Sequence, residues 1–418
     1  MQSDWPTAKL GDLAINLDTK RKPVKEADRR PGPYPYYGAS GIVDYVDGFL
    51  FEGEHLLIAE DGENLRTRNT PVAFRATGRF WVNNHAHIVK GNVRARTRFL
   101  EYAVLASDLT PYLTGAVMPK LTQGNLNKIE LPCPPLEEQD AVVGVLGLLD
   151  DRIDLLRQTN ATLESIAQAL FKSWFIDFEP VRAKAEGREP EGMDAVTAAL
   201  FPAEFEESTL GFIPKGWKAG RFGDLAELAK GSVNPLNAPD EEFEHYSLPA
   251  FDTAQLPVLE RGETIKSNKT RVPAGAVLQS KLNPHIPRVW WPSQIGERAV
   301  CSTEFLPWVA KRGTTSELVY CTLTAPSFAE AVRTLVTGTS NSHQRVRPDQ
   351  IAGIQLVSAP GDISNAFSQV VRPLLSKVGE NRLLAKTLAE LRDGLLPRLI
   401  SGKLRLSAAH AQLEEAIA

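Results

Sequence analysis

The sequence predicts an α+β protein, with two globular mixed α/β domains separated by two long antiparallel coiled-coil helices in an internal pseudo-repeat. Three observations lead there. Within residues 136–175, Leu146, Leu149, Ile153, Leu156, Asn160, Leu163, Ala167, Leu170 and Trp174 recur at alternating steps of three and four. Eight of these nine are apolar in a chain that is 43% hydrophobic, which is the seam of a helix that pairs with another helix. Forty such residues span about 60 Å. Second, a shift of 225 residues places Val371, Leu374, Val378, Asn381, Ala385, Leu388, Arg392, Leu395 and Leu399 on the same positions, without a gap between 118–175 and 343–400. Third, Trp5 precedes Gly11-Asp12-Leu13 as Trp217 precedes Gly223-Asp224-Leu225. A globular domain followed by a rod therefore occurs twice.

The divisions follow from this repeat. The first domain is 1–135, the first helical spacer 136–178, the connector 179–216, the second domain 217–360, the second spacer 361–405 and the tail 406–418. The first domain carries a basic, proline-interrupted loop, Lys20–Arg30, open to two readings, a solvated loop or a phosphate-contacting arm. Short strands with tight turns follow in YPYYGASGIVDYVDGFLF, then a buried strand in HLLIAEDGENL that turns at Asp61-Gly62. RFWVNNHAHIVKG reads as one strand with His85 and His87 on one face, and 97–109 as a helix. Pro132, Pro134 and Pro135 close the domain. Gly144 and Gly147, and Pro373 in the second rod, predict a kink or break near the start of each helix. Asn160 is a register-setting interruption. The connector, with a short helix near 193–200, has apolar words that place it on a surface. The second domain has strands around 277–280 and 288–291. Asp362 is a candidate N-cap, Gly402 a candidate helix stop, and 408–418 an amphipathic tail.

Composition narrows the function classes. No apolar run approaches the ~18 residues of a membrane span, and the N-terminus lacks the pattern of a signal peptide. Three scattered cysteines fit a reducing compartment. The net charge of −4 is unevenly spread: +2 over 1–135, −4 over 136–175, −5 over 176–216, +1 over 217–360 and +2 over 361–418. A nucleic-acid face would need local basic clusters. There is no GxxxxGK[ST] loop and no GxGxxG after a strand. The two histidines at 85 and 87 are too few for a zinc site. No catalytic residues and no metal site are expected. Three readings stand: a scaffold presenting two different DNA readers, a coiled-coil scaffold that joins two proteins without touching DNA, and a stand-alone enzyme, which adenine methylation or cleavage by the purified chain alone would reveal.

The words LPCPPLEEQ and LLDDRIDLLRQTNATLESIAQALFKSWFIDFEPVRAK, with EGMDAVTAALFPAEFEES and LGFIPKGW, resemble the specificity subunits of type I restriction–modification systems. YPYYGASGIVDYVDGFLFEGEHLLIAEDG and FWVNNHAHIV resemble one version of the first target-recognition domain. The resemblance implies two target-recognition domains that each read one half of a bipartite, asymmetric site on double-stranded DNA, for antiviral defence in a prokaryotic cytoplasm. It implies no catalysis by this chain. Two modification subunits carrying S-adenosylmethionine dock on the helical spacers, and ATP- and Mg-dependent restriction subunits join them; no cofactor is expected on this chain itself. Docking is assigned to the seam residues Leu146, Leu149, Ile153, Leu156, Asn160, Leu163, Leu170, Trp174, Leu374, Leu388 and Leu395.

Base reading needs side chains with paired donors and acceptors, and phosphate contacts need cations, hydroxyls or amides. In the first domain these point to Tyr36, Tyr37, Ser40, Asn83, Asn84, His85, Lys120, Thr122 and Gln123. In the second they point to Ser280, Lys281, Asn283, His285, Arg288, Asn341, His343, Gln344 and Arg345. Lys120 and Arg345 occupy equivalent positions in the repeat.

Overall fold

Both seams are helices in the computed structural model, which describes residues 4–336, 344–404 and 406. They run over Leu136–Phe171 and Gly361–Ile400. The chain divides into two compact units, 1–153 with 387–418, and 154–386. Each unit holds a segment of both helices and one globular domain. In the second unit the helices run antiparallel, since Asn160 meets Asn381 while Phe171 and Trp174 meet Phe367. In the first unit Asp150 and Arg392 pair at 2.8 Å. Leu146, Leu149, Ile153, Leu156, Val371, Val378, Leu388, Leu395 and Leu399 are all buried, as the seam requires. Leu375 takes the buried position expected of Leu374.

Of the expected kink or break, the break does not occur: both helices continue through these positions. A proline inside a helix removes one backbone hydrogen bond. Here Phe367, Val371 and Leu375 on either side of Pro373 are buried in the second unit's core and hold the adjoining turns. Gly147 answers a packing demand, because a Cβ there would lie 2.7 Å from the Arg98 guanidinium carbon. The first helix ends in a wider turn at Lys172–Ile176, where the Asp177 amide donates to the Lys172 carbonyl at 2.8 Å. The second ends at Gly402, whose φ of +77° suits glycine. Asp362 lies in its first turn. The tail at 408–418 lies outside the described residues. No helix among the described residues is long and apolar enough to cross a membrane.

The connector packs as its apolar words predict. Val181, Phe201 and Ile213, with Phe178 and Trp217 at its two borders, join the second unit's core. Its helix, Ala195–Ala199, is capped by Asp194, which accepts from the Thr197 amide at 2.9 Å.

The two domains share more than their opening residues. In the first, Thr7–Lys9 pairs antiparallel with Glu130–Pro132, and in the second Lys218–Arg221 pairs with Gln355–Ser358. Each domain then has a four-stranded antiparallel sheet with the same connectivity. The spatial order is Ala14–Asn16, Ala86–Gly91, His55–Ala59, Ala73–Ala76 in one. It is Ala226–Leu228, Phe305–Ala310, Val277–Ser280, Val289–Trp290 in the other. His55–Ala59 and Val277–Ser280 are buried along their whole length; the first is nearly all apolar, and the second carries Gln279, which accepts from the Trp308 indole at 2.9 Å. A helix follows each sheet, Thr97–Ala106 and Ser316–Thr324. The domains diverge in the second sheet. In the first domain it has four strands, Gly41–Val46, Pro31–Gly38, Arg79–Val82 and Phe51–Glu52. In the second domain it has five.

A buried polar pair sits within the seam. Asn381 Nδ2 donates to Asn160 Oδ1 at 2.8 Å, and Asn160 Nδ2 donates to the Val378 carbonyl at 3.3 Å. Asn160→Ala strands the Asn381 amide and should cost about 1–3 kcal/mol in urea unfolding. The double replacement Asn160→Leu with Asn381→Leu should recover that loss, since an apolar pair in a seam is stabilising but no longer fixes register.

Candidate nucleic-acid interface

One end of each four-stranded sheet gathers most of the candidate residues, because antiparallel order brings alternate loops together there. In the first domain this end comprises Glu60-Asp61 after one strand, the 83–85 turn before the next, and the exit loop around Lys120. Backbone bridges join Lys120 to Asp61 and Thr114. The Lys120 ammonium lies 3.3 Å from Glu60. His85 is exposed, with Nδ1 2.9 Å from Asp61 Oδ2. Thr122 caps the short helix Gln123–Leu126, accepting from the Asn125 amide at 3.3 Å. Gln123 Nε2 donates to Asn16 Oδ1 at 2.9 Å. Asn84 is exposed in the turn.

The second domain builds the same corner from different side chains. Leu282 bridges Arg345 in the way Asp61 bridges Lys120. The Arg345 guanidinium is held by Glu304, at 3.0 and 2.9 Å to its two oxygens. The Lys281 amide donates to the Glu304 carbonyl at 2.9 Å, and the Val346 amide to the Lys281 carbonyl at 3.1 Å. Asn283 adopts φ +49°, a conformation asparagine tolerates, and its amide donates to the Gln344 carbonyl at 2.8 Å. His285 is exposed. Asn341 and His343 lie outside the described residues.

Several sequence expectations are corrected. His85 and His87 do not share a face. The predicted single strand is two, Arg79–Val82 and Ala86–Gly91, and His85 sits in the turn between them. His87 is buried, with Nδ1 2.6 Å from Asp18 and Nε2 2.7 Å from the Leu121 carbonyl. Tyr36 is fully buried and unavailable to a base. Its hydroxyl accepts from the Val24 amide at 2.9 Å and its ring lies under Arg29, so it anchors the basic loop. Tyr37 is half-buried, edge-on to Phe80. Asn83 is buried and accepts from the His85 amide at 2.8 Å, which shapes the turn. Ser280 is buried at the end of its strand. Arg288 is committed to Asp252, at 2.6 and 2.9 Å. Ser40 is exposed at a hairpin turn of the second sheet. The seam residues assigned to docking are mostly buried inside the helix pair and leave no such surface.

Residues outside the candidate set organise the first domain's corner. Arg21 donates to Glu60 at 2.8 Å and to the Ala86 carbonyl at 2.7 Å. Arg29 reaches Asp44 at 3.2 Å, and the Trp81 indole donates to the Lys22 carbonyl at 2.6 Å. These anchors split the Lys20–Arg30 loop into two kinds of cation. Arg21 and Arg29 are structural, whereas Lys20, Lys22, Lys25 and Arg30 are exposed and make no ion pair among the described residues. The signal was legible as a basic run, but nothing in spacing separates anchoring cations from free ones.

Asp18 links these parts. Burial alone would raise its carboxyl, but the hydrogen bond and charge of His87, the Ile88 amide and Arg21 hold it below the usual carboxylate range. A depressed carboxylate contributes stability above its unfolded pKa of about 3.9, and that contribution is lost as pH falls through the lower folded value. Asp18→Ala should therefore cost about 2–4 kcal/mol at neutral pH. Its unfolding midpoint should then fall less steeply than the parent's as pH drops below about 4.

Comparison with known proteins agrees with this architecture. The family model for the type I restriction modification DNA specificity domain matches residues 2–165. A Haemophilus influenzae chain assigned as a type I restriction enzyme specificity subunit is 41% identical over 140 residues, spanning 34% of this chain and 36% of that one. The MjaIX type I specificity subunit of Methanocaldococcus jannaschii is 24% identical over 96% of this chain and 94% of its own length. The type I restriction–modification S subunit crystal structure from M. genitalium superposes with a TM-score of 0.55 at 12% identity, covering 95% of this chain and 96% of that one. At that identity the likeness is one of fold.

Proposed function

We propose that this chain, which belongs to the family of type I restriction–modification specificity subunits, reads a bipartite asymmetric site on double-stranded DNA with one half per domain. The observation that carries the reading is the repeated corner. Two domains with one sheet topology present a loop cluster at the same sheet end, each with an exit-loop cation seated on a carboxylate, Lys120 on Glu60 and Arg345 on Glu304. Common topology with different side chains is what two readers of different sequences need. In this reading Lys22, Lys25 and Arg30 meet phosphates, while the 83–85 turn, Lys120, Gln123, Lys281, Asn283 and Arg345 face the groove. Glu60 and Glu304 preorganise the exit cations and release them to DNA as a bidentate or ionic contact forms.

The chain supplies recognition, and chemistry comes from its partners: two modification subunits that use S-adenosylmethionine to methylate adenine, and ATP- and Mg-dependent restriction subunits. Because the seam is buried, the docking face lies elsewhere on the helices. Leu155 and Ile166 are exposed apolar residues eleven apart, about three turns, and so share one face of the first helix. Leu155→Asp with Ile166→Asp should leave the unfolding midpoint unchanged and weaken co-purification with a modification subunit.

The direct test is to co-express the chain with a cognate modification subunit and map methylated adenines by single-molecule sequencing. A split motif, modified once on each strand and absent without this chain, is the expected result; a complex that forms and modifies nothing would favour a scaffold that does not touch DNA. In the same complex, Lys22→Ala with Lys25→Ala and Arg30→Ala should leave the motif unchanged. It should reduce the slope of log affinity against log salt by about 2–3, one counterion per lost phosphate contact.

A further inference from the structure

The repeat places the two domain–helix junctions in register, and their charges are reversed. Strands Ala86–Gly91 and Phe305–Ala310 correspond, and so do the helices Thr97–Ala106 and Ser316–Thr324. Arg98 and Glu317 are each the second residue of their helix, and each faces the long helix of its own unit. Along the rods, the gapless shift of 225 sets Gly147 against Arg372 and Asp151 against Ser376.

In the first junction the domain supplies the cation. Arg98 Nη2 donates to Asp151 Oδ1 at 2.7 Å and to the Gly147 carbonyl at 3.0 Å. The guanidinium lies directly over position 147, where a Cβ would stand 2.7 Å from its central carbon and displace it. In the second junction the domain supplies the anion. Glu317 is fully buried and accepts from Arg372 Nε at 2.7 Å and from Ser368 Oγ at 2.7 Å. The rod position that lies bare under the guanidinium in the first junction carries the partner guanidinium in the second.

We propose that this reversal is a key that admits each recognition domain only to its own rod segment. The first domain seated on the second segment would set Arg98 against Arg372 with no bare backbone to receive it. The second domain seated on the first segment would bury Glu317 beside Asp151 with no cation. A buried charge without its partner is among the costliest defects a folded chain can carry. Either misplacement is thereby excluded by shape and by charge together, while the shared sheet topology alone would allow both. The substitutions that exchange a domain between positions must therefore carry the rod residues at 372 and 376 with them. This inference concerns assembly of the chain and does not depend on what the domains read.

The test rebuilds the first key inside the second junction of the full-length chain. Glu317→Arg alone places two guanidinium groups together and should lower the thermal unfolding midpoint by roughly 5–10 °C. Adding Arg372→Gly and Ser376→Asp, which copies the first junction's rod surface, should recover more than half of that loss. Arg372→Gly with Ser376→Asp, retaining Glu317, should be less stable than the triple variant. If the triple variant unfolds no higher than Glu317→Arg, or if Glu317→Arg unfolds with the parent, the key does not exist. As a second measurement, residues 10–131 are transplanted in place of 222–356. Limited proteolysis should cut the transplanted domain faster on the native second rod than on a rod carrying Arg372→Gly and Ser376→Asp. Equal cutting of the two would overturn the proposal.

Discussion

Everything in this protein hangs on the side-by-side burial of two long helices. A single helix of 36 or 40 residues with one apolar stripe has nowhere to put it in water, and the seam supplies most of its stability. Each compact unit contains a stretch of both helices, and the first is completed by the returning end of the second helix, residues 387–418 joining 1–153. The domain in each unit is seated on that pair by its own helix, Thr97–Ala106 or Ser316–Thr324. The seam tolerates the buried pair Asn160 and Asn381 because the Asn381 amide donates to Asn160 and the Asn160 amide donates to the Val378 carbonyl. An apolar stripe can slide by a heptad at small cost; a buried amide that finds no partner cannot.

The loop corners follow the economy of a common scaffold with variable loops. Strand ends fix where each loop starts, and the buried central strands, His55–Ala59 and Val277–Ser280, leave those ends little freedom. Carboxylates then arrange the cations. Arg21 is drawn inward by Glu60, Asp18 and the Ala86 carbonyl, and this holds the basic loop so that its remaining lysines face water. The second domain reaches a similar corner with Glu304 and Arg345, and spends its divergence on a different second sheet.

Charge acts differently at three depths. The free cations of the Lys20–Arg30 loop are fully solvated and suited to long-range, salt-sensitive attraction. The seated cations Lys120 and Arg345 lie exposed beside carboxylates that orient them. Glu317 is buried, where pairing is obligatory and polarity becomes a criterion of fit.

The sequence by itself determined the α+β class, the two rods, the internal repeat, the apolar packing of the connector and the equivalence of Lys120 with Arg345. These are periodic or locally encoded, and a stripe at steps of three and four has one physical meaning wherever it occurs. The helix stop at Gly402 was legible for the same reason, since only glycine accepts that backbone angle without strain. Tertiary structure alone decided the rest. Pro373 looked like a break, but buried neighbours on both sides outweigh one missing hydrogen bond. Tyr36, Asn83 and Ser280 looked like readers, but each is buried; Arg288 is held by a carboxylate 36 residues away in sequence. The common sheet topology of the two domains was hidden because a buried strand constrains only hydrophobicity and volume, which many sequences satisfy. Gly147 and Arg372 show the limit most plainly. In sequence they are a weak helix former and a surface charge, and only the domain helix packed against each gives them opposite roles.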